Sequence, residues 1–217
     1  HLMMTPDQGS WARATLFLHA LAETVAIAFL GTLLAAVIAF PIGLLAARNT
    51  TVNRVVRFAS RRMLDGIRGV DALIWALIWI VAFGLGPIPG VLAIAIHTTG
   101  ALGKLFSEVC ENIDMKPVEG AVSTGATWPE VIRFAVVPQV LANYASYALL
   151  RFEINVRGAA VMGFVGAGGI GQDLIEAIRK FYYSDVSAIL LLIIATVVVI
   201  DLLTERLRHA LIGREAH

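Results

Sequence analysis

Charge is scarce in this sequence. Only 15% of its 217 residues are Asp, Glu, Lys or Arg, where a soluble globular domain carries about 25%. Cysteine is scarcer still. Cys110 stands alone, so no intrachain disulfide is available and the fold does not depend on oxidation; packing near a helix end is its expected role. No stretch joins a basic start to a short apolar run and a small-residue cleavage site, the marks of a secretory signal. His1-Leu2-Met3-Met4 is set aside as an atypical start. The net charge of +1 says little about partners, and no nucleic-acid partner is expected. No nucleophile–base pair or metal-ligand cluster is visible either, which leaves no catalytic residue and no metal site to assign.

What the sequence has instead is apolar length. Apolar residues make up 58% of it, in runs that recur at the roughly 20 residues needed to cross a bilayer. An all-α membrane protein follows, with five transmembrane helices near 21–47, 63–84, 88–110, 138–163 and 186–205. Without an internal repeat or a low-complexity segment, residues 1–217 read as one domain. Arg48, Arg54, Arg57, Arg61 and Arg62 cluster after the first span, and Arg206, Arg208 and Arg214 follow the last. Such clusters mark the cytoplasmic side, so the N-terminus is expected outside and the C-terminus inside.

Two spans are irregular. Pro41 and Gly43 should bend the first locally. The apolar core of the second, 72–83, is too short to cross alone. Its helix is therefore expected to start near Met63 and to carry Asp65, Arg68 and Asp71, whose i,i+3 spacings allow pairing along one surface. Gly84-Leu85-Gly86-Pro87-Ile88-Pro89-Gly90 is a strong turn signal. Trp75 and Trp79 could face lipid or pack between helices.

The one long polar-tinged interval is the loop 111–137. Thr127-Trp128-Pro129-Glu130 reads as a capping box, with Pro129 in the first helical turn. The interval is thus expected to be a helical hairpin: helix, break at Gly125, then a second helix ending at Pro138. A plain connection would not need so much structure, and a protein-docking role is one reading of it.

The same stretch, EGAVSTGATWPEVIRFAVVP, resembles the signature cytoplasmic loop of ABC importer permeases: Glu-Ala-Ala, three residues, Gly, nine residues, Ile, any residue, Leu-Pro. Glu119, Ala121, Gly125 and Pro138 match at that spacing. Gly120 replaces the first Ala, Ala135 the Ile and Val137 the Leu. The helix order resembles the five-helix core of type I importers such as the methionine permease, over nearly the whole chain. The resemblance implies that Glu119, Gly120, Ala121, Gly125 and Pro138 belong to a coupling element seated on a partner ATPase. It implies no cofactor in this chain, ATP and Mg being bound by that partner.

Ionisable residues at membrane depth are functional candidates by default. Glu153 and Arg157 stand i,i+4 and can form a structural ion pair. Arg151 and Asn155 share another facet of the same helix, and Arg151 has no acidic partner there. It is the better candidate for a transient anion or for a partner on another span, because a guanidinium fork matches phosphate-like oxygens. His97 is a packed histidine or a pathway group, and Thr98 and Thr99 are candidates to line the path. Gly166, Gly168, Gly169 and Gly171 fit the dinucleotide fingerprint in letters. They follow a membrane helix rather than a strand, so a close-packed outer turn that can gate is the better reading.

Five separated segments resemble the phosphonate/phosphite permease branch: Ile96–Gly100, Lys116–Gly120, Arg151–Glu153, Asn155–Arg157 and Val165–Gly171. That resemblance implies an ATP-driven importer subunit in a bacterial cell membrane, working as a homodimer. Its partners would be two ATP-binding-cassette subunits, an extracytoplasmic phosphonate-type binding protein and membrane lipid. Phosphate or methionine as cargo is the competing expectation within the family. An ion-coupled carrier with Glu153 and His97 as relay is the runner-up from another class, and it predicts an inverted repeat.

Overall fold

The computed structural model describes residues 10–213; His1–Met4 and Arg214 lie outside them. Every regular element among the described residues is helical. Three helices are long and apolar enough to cross a membrane, or up to five if two bent pairs each count as one span.

Helix α1, Ser10–Ala46, has 37 residues, about 55 Å at 1.5 Å per residue. It begins before the expected first span and continues through Pro41. Gly43 serves packing: a Cβ there would lie 2.5 Å from the Phe106 ring. Helix α4, Pro87–Glu111, sits at the centre and packs against α1, α7 (Val137–Met162), α2 (Arg54–Gly69) and α3 (Ala72–Phe83). Lipid tails are as apolar as leucine, so helices here associate through close contact of small residues rather than through flight from water. The glycines mark those contacts. A Cβ on Gly31 would meet Ile94 at 2.5 Å, and one on Gly103 would meet Leu64 at 2.6 Å.

The second expected span is not one helix. α2 and α3 meet at 87°. Val70 and Asp71 fall at the elbow, and Asp71 caps α3 by accepting from the Leu73 N–H at 2.8 Å. The Asp65–Arg68–Asp71 ladder is therefore absent. Asp65 instead faces Arg62 and Lys104, each at 3.8 Å. A capping aspartate before an apolar run favours a fresh helix start over continuation, and His97 Nδ1 takes up the freed Val70 carbonyl at 2.9 Å. Trp75 and Trp79 turn inward onto a cluster containing Ala28, Ile94 and Val156.

The hairpin comprises α5 (Lys116–Ser123), a turn at Gly125 with φ of 85°, and α6 (Trp128–Val131). Pro138 does not end its second helix. The chain runs on through a π-helical turn, Ile132–Val136, directly into α7. Proline has no N–H to give, and its ring would strike the carbonyl four residues earlier. The wider turn shifts the ladder, with Val137 N–H bonding Ile132 O. At the other end of α7, Gly166–Gly169 make a tight turn into α8, Ile170–Arg179, and α9 spans Tyr183–Ile212.

Candidate functional site

At the hairpin end, loose helix termini are stitched to one another. The last carbonyls of a helix lack intrahelical donors, and here side chains supply them. Asn49 Nδ2 donates to Cys110 O and Glu111 O at 3.1 and 3.2 Å. Arg61 Nε donates to Ala46 O at 2.8 Å and its fork pairs with Glu111. Trp128 Nε1, from the hairpin, donates to Thr50 O at 2.5 Å. Gln139 clasps the backbone of Asp114 from both sides of its amide, at 3.0 and 3.1 Å. Phe40, Phe106 and Tyr144 stack where α1, α4 and α7 meet.

The capping pair forms, Glu130 accepting from both the N–H and the hydroxyl of Thr127 at 2.7 Å. These bonds hold its carboxyl below the usual carboxylate range. Glu119, Gly120, Gly125 and Pro138 are exposed, and Ala121 packs partly against the core. Of the anchoring side chains, Asn49, Glu111 and Gln139 did not stand out in the sequence, and Trp128 did so only as a member of the capping box. The only signal was positional: polar side chains at the ends of apolar runs.

Midway along the bundle lies a three-helix polar junction. Asn155 of α7 donates to Thr32 Oγ1 of α1 at 2.8 Å and to Thr98 Oγ1 of α4 at 2.9 Å, all buried. Thr99 turns back onto its own helix, donating to Ala95 O at 2.6 Å. Asn155 and Thr98 thus tie helices together. Thr32 is an isolated hydroxyl in an apolar run, and only tertiary structure reveals it as the third member.

Glu153 and Arg157 do pair, at 3.0 Å, within a larger network. Arg157 also reaches Asp201 of α9 at 2.7 Å, and Glu153 is held by Arg208 at 3.5 Å and by the Thr204 hydroxyl at 3.2 Å. Two acids and two arginines cancel. Arg151 makes no hydrogen bond or ion pair with any described residue, and Arg68 lies near enough to repel it.

The glycine-rich turn is as close-packed as expected. Cβ atoms on Gly168 and Gly171 would come 2.8 Å from Pro87 Cα and 2.1 Å from Ala160 O. Glu23 and Thr24 of α1 cap the start of α8, accepting from Gly169 N at 3.1 Å and Ile170 N at 2.8 Å. Among the described residues no group of three or more His, Cys, Asp or Glu is arranged to hold a metal.

Residues 39–216 match the family described as the binding-protein-dependent transport system inner membrane component. The chain belongs to that family. The permease is 41% identical over 208 residues to the phosphite transport system permease protein PtxC of Stutzerimonas stutzeri, covering 94% of this chain and 74% of that one. It is 54% identical over 117 residues to a protein named as a cryptic phosphonate transport system permease, PhnE2 of Escherichia coli K12, covering 54% and 96% respectively. Among solved structures it superposes on an inward-facing MetNI methionine ABC transporter with a TM-score of 0.79 at 21% identity, over 93% of this chain and 99% of that one. The fold is that of type I ABC permeases, and the permease is a multi-pass protein of the bacterial inner membrane. Its family implies a binding protein and an ATPase as partners, and makes it a transport subunit rather than an enzyme.

Proposed function

We propose that this chain is the membrane-spanning subunit of an ATP-driven importer for phosphonate or a related phosphorus oxyanion such as phosphite or phosphate. One observation carries the reading: 41% identity, over 94% of the chain, to a phosphite permease. Two copies stand with two ATP-binding-cassette subunits, N-termini outside and C-termini in the cytoplasm, and an external phosphonate-type binding protein delivers cargo. ATP and its metal ion belong to the cassettes.

The hairpin from Glu119 through Gly125 seats in the cassette. Its motion has a covalent route outward, because its second helix is continuous with α7, and a lateral route through Trp128 into the α1–α2 loop. Gly166, Gly168, Gly169 and Gly171 close the outer end. Asn155, Thr98, His97, Thr99, Glu153 and Arg157 frame the path, and Arg151 faces the cargo within it.

The test is reconstitution. Proteoliposomes holding the permease and cassettes, supplied with binding protein and ATP, should accumulate radiolabelled phosphite or methylphosphonate, and Gly125→Val should abolish accumulation. Uptake of methionine in place of these anions, or unaltered coupling in that variant, would overturn the reading.

A further inference from the structure

Two guanidiniums lie half-way along this bundle without a hydrogen-bond or ion-pair partner among the described residues. Arg68 occupies the last turn of α2. Gly100, in the middle of α4, allows it to be there, because a Cβ at Gly100 would sit 2.8 Å from the Arg68 backbone nitrogen. Arg151 lies midway along α7, one turn before Asn155, which bonds to Thr98 on that same stretch of α4. The two are thus at one level of the bundle and near enough to repel.

The acidic side chains of the elbow, of α2 and of α7 are already engaged. Asp71 caps α3. Asp65 faces Arg62 and Lys104. Glu153 and Asp201 hold Arg157 and Arg208. The carbonyl end of α2 offers Arg68 partial compensation, and Arg151 has none. At membrane depth a lone charge is costly, at least ~2.5 kcal/mol on insertion scales, and like charges add their repulsion. The elbow beside them is also irregular backbone, with Gly69 and Asp71 exposed. Such backbone is tolerated at membrane depth only where it is buried in protein or lines a watery cavity. Exposed in the single chain, this elbow leaves room for a hydrated approach.

We propose that Arg68 and Arg151 form one anion site at mid-path, gripping a tetrahedral phosphorus oxyanion between two guanidinium forks. The proposal rests on the phosphorus-oxyanion reading above and adds to it the residue on α2 that completes the grip. Two forks match the several oxygens of such an anion. With no carboxylate of the described residues paired to them, both forks keep their donors for the anion.

The test uses the full complex of permease, cassettes and binding protein. In the wild type, phenylglyoxal modification of each arginine is followed by mass spectrometry, with and without millimolar phosphite. Arg68 and Arg151 should be protected together, while chloride at equal ionic strength protects neither and the exposed Arg62 reacts in both cases. Arg68→Gln and Arg151→Gln should each slow phosphite uptake by about tenfold or more, the loss expected of one charge-assisted contact. The double variant should be little worse than the poorer single one, and Arg68→Lys, charged but without the fork, should fall between. Arg62→Gln should transport normally. Absence of protection in the wild type, or full uptake by Arg68→Gln, overturns the site even if a variant assembles poorly. A wild type that fails to carry phosphorus oxyanions, yet is protected at both arginines by sulfate, sinks the cargo reading and keeps the site.

Discussion

Asn155 illustrates how one amide can hold three helices. Its two donor bonds reach hydroxyls 123 and 57 residues away in sequence. Interhelical hydrogen bonds in membranes are worth about 0.6 kcal/mol on average and up to about 1.7. Asn155→Ala should therefore lower the stability of the complex by roughly 1–2 kcal/mol, and Thr32→Val by about half of that, since one of the two bonds survives. Thermal midpoints of the purified complex would measure both, and a larger loss for Thr32→Val would contradict the junction. The sequence marked Asn155 and Thr98 as notable because polarity is rare in a span. It could not pair them, because a hydroxyl and an amide at matching depth are recognisable only once the helices are assembled. The Glu153–Arg157 pair was legible from its i,i+4 spacing. Asp201 and Arg208 were not, being contributed by another helix. Arg151 stood out for want of a partner in its own helix, and the structure extends that want to the whole described chain.

At the level of elements, two of the departures from expectation are breaks of helical phase. Length arguments favoured one helix over 63–84, yet the signals for a break were present: Gly69, then Asp71 ahead of an apolar run, in the pattern of a capped start. Pro138 read as a terminator because proline usually is one. It is accommodated instead by the π turn at Ile132–Val136, which has the effect of one surplus residue in the helix. That surplus fixes the rotation of the hairpin relative to α7. Deleting Phe134 should turn everything before it by about 100°, so ATP hydrolysis should no longer respond to loaded binding protein and uptake should stop. Phe134→Ala keeps the phase and should keep coupling. An assay of stimulated ATPase activity in the two proteins decides it; equal activities would mean the π turn sets nothing. The cap at Thr127 and the break at Gly125 were readable, because capping boxes and a glycine break are local codes, whereas the end at Pro138 was not.

At the scale of the whole molecule, the isolated chain is unfinished. α9 is mostly uncovered and α1 presents Leu16, Phe29, Leu33 and Val37 to its surroundings. Lipid covers such faces well; Glu119 and Gly125 are exposed at the hairpin end, where the proposed function seats a cassette. Native mass spectrometry of the purified importer should give two copies of this chain with two cassettes; a mass fitting one copy beside a different permease would replace the homodimer by a heterodimer. The helical membrane class was legible from composition alone, and the order of the elements from apolar runs and turn residues, because lipid leaves the backbone few options. How the elements lean on one another was not, since glycine contacts leave no periodic trace. Cys110 is wholly enclosed in the cluster around Phe106 and Val140, and an enclosed thiol is inert. Over these residues the chain is therefore already a silent background for thiol chemistry. A single cysteine introduced at an exposed position outside the coupling hairpin, such as Val52, would carry a spin label or fluorophore without removing any native residue from the core, so distances across the working importer can be followed in an otherwise unaltered chain.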